Sequence, residues 1–390
     1  MNNLKGITIV TLIFSAACHN AVQKTVAKNP DSTELNIVTL PSKLAFQKMT
    51  DGKPVDLYIL RNKSNMQAAI TNYGGRLVSL LVPDKNGKMI DVVAGFKTIG
   101  DYEHSTEAYF GATIGRYGNR IARGKFSLDG RQYKLFINNG ANTLHGGKKG
   151  FQYVVWDAIQ PNDSTLELSY LSKDMEEGFP GDLKVKVTCF LTDNNALKFV
   201  YEATTNKKTV VNLTNHAFFN LNGEGNGTIL NHIVQINADR YMPVDTGLIP
   251  TGKLETVIGT PFDFTTPETI GKRIAADNTQ LKNGKGYDHN FVLVNEHTDS
   301  LRHAATISGD KSGIVMDIYT EEPGLQFYSG NFMQGKNVFK GGSKDDFRTA
   351  FAMETQHFPD SPNEPSFPST VLDPGKLYKT ISVYQFSVIK

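Results

Sequence analysis

The sequence contains little cysteine and no long apolar run, and its charges nearly cancel. Two cysteines in 390 residues allow at most one disulfide bond, which excludes a scaffold held together by many disulfides. The 41 lysines and arginines face 39 aspartates and glutamates, so the net charge is +2. This balance gives no reason to expect nucleic acid or another strongly charged partner. No apolar stretch approaches the roughly 20 residues that a membrane-spanning helix needs.

Motifs for metals, nucleotides and a nucleophilic serine are also missing. The sequence has no H-E-x-x-H, no paired C-x-x-C and no EF-hand loop. It has no glycine-rich dinucleotide motif after a strand and no P-loop, and the G-x-S-x-G elbow of serine hydrolases is absent. We therefore predict a protein that works without a metal or a cofactor.

The N-terminus has the features of an export signal. Lys5 provides a positive charge, residues 7–14 form a short apolar core, and small residues precede Cys18. This order resembles a bacterial lipobox, so we predict a signal peptide over residues 1–17, lipid attachment at Cys18, and a periplasmic or membrane-anchored location in the cell envelope. Plain secretory cleavage and retention of the segment stay open, because Ser15 stands where a lipobox usually has leucine.

Alternating apolar and polar residues predict β structure through most of the remaining chain. The pattern is clear over residues 183–191 and again over 197–203. A period of two is typical of antiparallel sheets with one buried face. Residues 266–274 are the one stretch that favours a short capped helix. We predict a flexible tether over residues 18–40 and a single all-β domain over 41–390, built as a large antiparallel β-sandwich.

Polar clusters interrupt the strand pattern and contain the candidate site residues. Each has a structural alternative, because a lone histidine is often a hydrogen-bonded core residue, an arginine an ion-pair partner and an aspartate a turn former. A carboxylate after an apolar run is harder to explain, since its burial without partners is costly. Carboxylates, histidines, amides and a guanidinium together suit proton transfer to and from a polyhydroxylated ligand. The candidates are Asn119 and Arg120 in GRYGNRI, His145 in NTLHGG, His216 in NLTNHAFF, Asp288 in GYDHNF, Gln326 in EPGLQF and Glu354 in AFAMETQHF.

Taken together, these clusters resemble the aldose 1-epimerase (galactose mutarotase) family. The resemblance implies a galactose mutarotase-like fold, which is a large antiparallel β-sandwich called a supersandwich. It also implies interconversion of the α and β anomers of a free aldohexose such as glucose or galactose, with no cofactor. The matching segments occur in order over residues 45–390 and are GRYGNRIARGKFSLDG (115–130), NTLHGG (142–147), NLTNHAFFNL (212–221), PFDF (261–264), GYDHNFVL (286–293), EPGLQFYSGN (322–331) and ETQHFPDSPNEPSFPSTVLDPG (354–375).

The same resemblance implies a role for each candidate. Glu354 matches the general base of the family, His216 its general acid and His145 its second active-site histidine. Opening the sugar ring removes a proton from O1 and delivers one to the ring oxygen O5. We therefore expect an ionised Glu354 and a protonated His216, with both pKa values near the working pH and the pKa of the glutamate raised by burial. The positions that match substrate-binding residues of the family are Asn119, Arg120, Asp288 and Gln326.

Three other functions remain open at this point. A non-catalytic sugar-binding module would need no acid–base pair. A glycoside hydrolase would use Glu354 and Asp288 as two carboxylates flanking one bond, about 5–5.5 Å apart for retention or 6.5–9.5 Å for inversion. An epimerase acting on phosphorylated sugars would add arginine or lysine near the 6-position of the sugar.

Overall fold

The computed structural model describes residues 39–294 and 301–389. The predicted signal peptide, Cys18 and nearly all of the predicted tether lie outside these residues. Within them, every pair of neighbouring strands is antiparallel, which confirms the all-β antiparallel prediction. Their helices are all too short or too polar to cross a membrane.

The largest sheet in the described part of the chain has nine strands. In Leu183–Leu191 the odd-numbered residues are buried, while Lys184 is exposed and Lys186 is half-buried. The predicted alternation is therefore confirmed here except at Thr188, which is buried, and the neighbouring strand Ala196–Thr205 follows it over most of its length. In spatial order the strands are Asp157–Asn162, Thr165–Ser172, Leu183–Leu191, Ala196–Thr205, Tyr378–Val388, Ile314–Thr320, Arg302–Ser308, Ile233–Ile236 and Glu268–Thr269.

Two smaller sheets share a hydrophobic core with the large one. Ile70, Leu197 and Phe327 come from the three different sheets, are at most 1% exposed, and belong to the same apolar cluster. Burial of this cluster between sheets is the arrangement of a β-sandwich. The five-stranded sheet contains, in spatial order, Glu255–Thr256, Ala238–Tyr241, Asp288–Leu293, Gly324–Tyr328 and Ala352–Gln356, and the four-stranded sheet contains Leu57–Arg61, Gln67–Thr71, Arg76–Pro83 and Met89–Asp91.

Short two-stranded ladders and helical turns connect the sheets. The α-helix Ile99–His104 begins at a capping box, in which Thr98 and Asp101 each accept the other's backbone N–H. The other α-helix of the described residues is Thr279–Gly284. The ladders pair Lys48–Thr50 with Lys53–Val55, Ala112–Ile114 with Thr214–His216, Arg120–Ile121 with Thr143–Leu144, Lys125–Leu128 with Arg131–Lys134, and Thr209–Val210 with Val371–Leu372. The 3₁₀ turns are Lys43–Phe46, Ala122–Gly124, Phe151–Tyr153, Glu176–Gly178, Ile270–Lys272 and Ser361–Asn363.

The predicted helix over residues 266–274 is wrong. Glu268–Thr269 is an edge strand of the nine-stranded sheet, and only Ile270–Lys272 forms a single 3₁₀ turn. The backbone N–H of Ile270 donates to the carbonyl of His232 at 3.0 Å, so it makes a tertiary contact instead of a helical one. Pairing with a neighbouring segment has therefore overridden the local helix signal.

Candidate active site

A cleft of about 1270 Å³ gathers residues from the five-stranded sheet and the short ladders. Its wall brings together residues far apart in the sequence. Six of the seven predicted site residues line it, and each is at most 8% exposed. These six are Asn119, Arg120, His145, His216, Asp288 and Glu354.

Backbone register places His216 opposite Glu354. Phe219 and Phe351 form an antiparallel bridge, with N–H to carbonyl distances of 2.7 and 2.9 Å. Counting three residues back from Phe219 gives position 216, and counting three residues on from Phe351 gives position 354. These two positions therefore lie opposite each other. Opposed residues of an antiparallel pair project to the same face. Accordingly, Nε2 of His216 lies 3.5 Å from Oε1 of Glu354, within ion-pair distance.

A reciprocal contact fixes Asn119 and His145 at the end of the ladder formed by Arg120–Ile121 and Thr143–Leu144. The His145 N–H donates to the Asn119 carbonyl at 3.0 Å, and the Asn119 N–H donates to Nδ1 of His145 at 3.1 Å. A backbone N–H can only donate, so Nδ1 must be the acceptor. In the neutral ring the proton therefore sits on Nε2, which makes His145 a hydrogen-bond donor through that atom.

Asp288, Gln326 and Glu354 lie on three adjacent strands. Gln326 is paired in register with Glu354, and its Nε2 donates to Oδ1 of Asp288 at 2.7 Å. This hydrogen bond holds the Asp288 carboxyl at the cleft. Gln326 itself is 3% exposed and is not among the residues that line the cleft, so its contact with a ligand stays a prediction.

Arg120 is the buried cation of the site. Its Nε donates to Oδ1 of Asn139 at 3.2 Å, and its backbone N–H donates to Oδ1 of Asn119 at 2.9 Å. Within residues 39–294 and 301–389, no carboxylate lies within ion-pair distance of its guanidinium. Most of its hydrogen-bond donors therefore stay available to a ligand in the cleft.

Aromatic rings surround the two histidines. The ring centroid of Tyr109 lies 4.5 Å from that of His145 and 5.8 Å from that of His216. Phe218 packs against His216 from another side, with a centroid separation of 4.8 Å. The rings fix both imidazoles in place and keep water from much of their surface.

Burial shifts the pKa values of the opposed pair toward neutral forms. Loss of solvation raises the pKa of Glu354 well above its usual range, and the negative charge of Asp288 adds to the rise while Arg120 opposes it. Loss of solvation also lowers the pKa of His216 to about 3. The expected rise for the glutamate is confirmed. The expected near-neutral pKa of the histidine is wrong, because burial removes the water that would stabilise the charged form of the imidazole.

The other groups of the cleft are shifted in the same way. Burial is the largest cause of a pKa well below the usual range at His145, and the nearby His216 and Arg120 lower it further. Burial raises the pKa of Asp288, while the positive charge of Arg120 and the hydrogen bond from Gln326 act against the rise. Low pKa values keep both histidines neutral near pH 7. When the pair of His216 and Glu354 holds one titratable proton, that proton is therefore on Glu354.

His145, His216 and Glu354 are also close enough to hold a metal ion, with one ligand atom from each within 4.8 Å of the others. The donor chemistry does not fit such a site. Nδ1 of His145 already accepts the Asn119 N–H, so Nε2 carries the proton and has no lone pair to offer in the neutral ring. The arrangement suits proton transfer better than ligation.

Asn212 connects the segments that carry these groups. Its Oδ1 accepts the His357 N–H at 3.0 Å, and its Nδ2 donates to the carbonyls of His357 and Gly118 at 3.2 and 3.3 Å. Its backbone N–H donates to the Arg116 carbonyl at 3.1 Å. This fully buried side chain therefore ties together the segment before His216, the end of the strand that bears the glutamate, and the segment leading to Asn119–Arg120.

Comparison with known families shows which family the chain belongs to. The family profile described as "Aldose 1-epimerase" matches residues 56–385, which is most of the chain. The chain belongs to the aldose 1-epimerase family.

Several aldose 1-epimerase relatives are similar over nearly their whole length. Galactose mutarotase of Bos taurus is 42% identical over 323 residues, covering 83% of this chain and 92% of the relative. Aldose 1-epimerase of Escherichia coli K12 is 38% identical over 338 residues, covering 86% and 96%. The crystal structure of the GalM/aldose epimerase homologue from C. elegans has a TM-score of 0.79 at 33% identity, covering 86% of this chain and 100% of that one. The predicted family and fold are thereby confirmed.

The cleft of this aldose 1-epimerase also contains residues that sequence reasoning missed. They include Glu107, Tyr109, Phe218, Tyr328 and the turn at residues 245–249. Phe218 and Tyr328 lie inside the matched segments 212–221 and 322–331, and this was the available signal for them, whereas Tyr109 lies before the matched segment that begins at residue 115. The turn at 245–249 carries no pattern that points to a site.

His289, next to Asp288, has a structural role. It is fully buried, and its Nδ1 accepts the Asp288 N–H at 3.1 Å. Its ring packs against Phe262 with a centroid separation of 4.6 Å. Successive strand residues project to opposite faces, so Asp288 faces the cleft while His289 faces the core.

Proposed function

We propose that this aldose 1-epimerase interconverts the α and β anomers of a free aldohexose such as glucose or galactose. The observation that carries the proposal is the 3.5 Å separation between His216 Nε2 and Glu354 Oε1 on the wall of the cleft. The pair can be neutral, with the proton on Glu354, or an ion pair, with the proton on His216. Both forms contain the same number of protons. The pair can therefore move its proton without exchanging one with solvent.

Ring opening uses the ion-pair form in this proposal. The Glu354 carboxylate takes the proton from the O1 hydroxyl, His216 gives its proton to O5, and the C1–O5 bond breaks as the C1=O1 double bond forms. This step leaves a protonated glutamate and a neutral histidine, the forms that burial favours. Rotation about C1–C2 exposes the other face of the aldehyde. Closure reverses both proton transfers, and each acid–base step contributes roughly 10²–10⁴-fold.

The remaining residues bind and orient the sugar in this proposal. Nε2–H of His145 donates to the ring oxygen or a neighbouring hydroxyl, because its other nitrogen is already occupied by the Asn119 N–H. Arg120, Asn119 and Asp288 orient hydroxyls, and Gln326 holds the Asp288 carboxyl in place. The guanidinium of Arg120 also favours the ionised form of the glutamate when the sugar binds.

Polarimetry on freshly dissolved α-glucose and α-galactose tests the activity, with the uncatalysed rate subtracted. We expect Glu354→Gln to lower kcat by about 10²–10⁴-fold, because the amide keeps the shape and cannot take a proton. His216→Gln should lower kcat comparably. A Glu354→Gln protein as fast as the wild type would exclude the glutamate as the base, and a wild type without catalysis that still binds sugar by calorimetry would exclude the activity.

We also propose that the chain is exported and carries lipid on Cys18, with residues 18–40 as the tether of a domain that begins at residue 41. The support is the order of charge, apolar core and small residues before Cys18. Membrane fractionation and mass spectrometry of the N-terminal peptide test it. We expect a diacylglyceryl-modified Cys18 in the membrane fraction and release of Cys18→Ala into the soluble fraction. An unmodified N-terminus at another residue would contradict lipidation.

A further inference from the structure

Glu107 occupies a fixed position on the cleft wall, outside the set of residues with a proposed role. It lies in the segment between helix Ile99–His104 and strand Ala112–Ile114. The Ser105 hydroxyl donates to the Glu107 carbonyl at 2.7 Å and accepts the Glu107 N–H at 3.1 Å. Arg76 holds the next turn by donating to the carbonyls of Ala108 and Phe110 at 2.9 and 2.8 Å. The backbone that presents the carboxyl is therefore rigid.

Within residues 39–294 and 301–389, one carboxyl oxygen of Glu107 makes a hydrogen bond of normal geometry. Oε1 accepts the Tyr109 N–H at 3.1 Å. Oε2 makes no hydrogen bond of normal geometry and has no cation within ion-pair distance among the residues that the structure describes, although the neighbouring Ala108 N–H also lowers the pKa of the carboxyl. It is also absent from the buried polar atoms that lack partners, and the residue is half-buried, so this oxygen is open to the cleft. The nearby Arg76 does not form an ion pair with it, since its two terminal nitrogens donate to backbone carbonyls.

We propose that Glu107 is a specificity-determining residue whose Oε2 accepts a hydrogen bond from one hydroxyl of the bound aldose. The inference rests on the proposed function, because it needs a sugar in the cleft. A carboxylate oxygen without a protein partner at the wall of a polar cleft is an acceptor for a ligand donor, and a sugar offers hydroxyl donors.

The electrostatic surroundings are consistent with a ligand contact. Burial raises the pKa of Glu107 to about 7, while the N–H groups of Tyr109 and Ala108 and the charge of Arg76 limit the rise. Its negative charge in turn raises the pKa of Glu354 and of Tyr328. Glu107 therefore shares the electrostatic environment of the acid–base pair. A hydroxyl donor at Oε2 replaces part of the solvation that burial removes.

Glu107→Gln is the informative substitution. Glutamine keeps a carbonyl oxygen for the Tyr109 N–H, so the segment can stay in place, but it puts an NH₂ donor where the free acceptor was. A hydrogen bond to a charged group is worth a factor of about 10–100 in binding. We expect kcat/KM for glucose to fall by about 10-fold or more, with unchanged thermal stability.

A series of deoxy sugars separates a hydroxyl contact from a general effect. Polarimetry would compare wild type and Glu107→Gln on glucose and on its 2-, 3-, 4- and 6-deoxy forms. We expect the variant's defect to shrink to less than about 3-fold on the analogue that lacks the contacted hydroxyl, because that analogue loses the hydrogen bond in both proteins. A defect of equal size on every sugar, or no defect on any, would overturn the proposal.

Glu103→Gln is the matched control. Glu103 lies in the preceding helix, pairs with Lys48 at 2.6 Å and is not part of the cleft wall. The same carboxyl-to-amide change there should leave kcat/KM within about 2-fold on all five sugars. Failure of the wild type to catalyse mutarotation at all would refute the proposed function, whereas a catalysing wild type with a uniform defect in Glu107→Gln refutes only this inference.

Discussion

The nine-stranded and five-stranded sheets bury their residues in different patterns. In Leu183–Leu191 buried side chains alternate with exposed or half-buried ones except at Thr188, which is also buried, as in a sheet with one solvent face. In Asp288–Leu293, Gly324–Tyr328 and Ala352–Gln356 every residue is buried. Polar residues are costly in such strands unless they are partnered or used. The difference indicates that the first sheet mainly stabilises the fold, while the second carries the chemistry.

A core truncation in the large sheet should have the largest effect on stability and little on chemistry. Leu197 is fully buried in Ala196–Thr205, away from the cleft wall. We expect Leu197→Ala to lower the free energy of unfolding by about 2–5 kcal/mol, because it leaves a cavity. Denaturant unfolding measures this loss, and kcat by polarimetry should stay within about 2-fold below the melting temperature. A folded Leu197→Ala variant with a tenfold lower kcat would contradict the assignment of stability to one sheet and chemistry to the other.

Removing the connector beside the cleft should have the opposite signature. Asn212→Ala frees three segments of the site from one another, and displacements near 1 Å at reacting groups cost up to about 10²-fold. We expect kcat/KM to fall by about 10–100-fold, whereas Leu197→Ala should leave it nearly unchanged. Asn212→Ala is also destabilising, so the two variants are compared at equal fractions of folded protein. Equal activity in both would show that Asn212 is only a stabilising residue.

A fall in pH should destabilise the fold through His289, a core-facing residue of the five-stranded sheet. Burial lowers the pKa of His289 from 6.5 to about 3, so below pH 6.5 the unfolded chain binds a proton there that the folded chain does not. His289 therefore stabilises the fold above its unfolded pKa, and this contribution is lost as the pH falls toward the folded value. Relative to His289→Gln, the wild type should lose about 1.4 kcal/mol per pH unit within this window. Parallel pH–stability curves for the two proteins would contradict the assignment.

The solvent face of the large sheet should give the smallest effect. Lys186 pairs with Glu167 at 2.9 Å, with side chains 41% and 34% exposed. Solvent screens such pairs, so Lys186→Ala should change the free energy of unfolding by less than about 0.5 kcal/mol and leave kcat unchanged. Urea unfolding measures this change. A loss above 1 kcal/mol would mean that the solvent-exposed face contributes more to the free energy of unfolding than its exposure indicates.

The same contrast explains how much could be predicted from the sequence. Strands with one solvent-exposed face, such as Leu183–Leu191, can be predicted from the alternation of apolar and polar residues. Strands buried on both faces lack this signal, and the edge strand Glu268–Thr269 was mistaken for part of a helix because its partner lies far away in the sequence. Local patterns describe a chain's own periodicity, whereas pairing between distant segments depends on the whole fold.

The identity of the site residues was predicted through family resemblance, but their geometry was not. The approach of His216 to Glu354 depends on the distant bridge between Phe219 and Phe351, which no local pattern encodes. The low pKa of His216 follows from its burial in the folded protein. The pKa of a free histidine therefore gave a wrong prediction for it. Glu107 was missed because a single glutamate in a polar loop has no distinguishing sequence feature.

The bridge between Phe219 and Phe351 has a consequence for how such a chain can change during evolution. Substitutions can alter the wall of the cleft one side chain at a time. Inserting or deleting one residue between 216 and 219, or between 351 and 354, would turn one member of the pair to the opposite side of its strand. We therefore expect length variation among homologues to avoid these two short intervals and to collect in the outer turns.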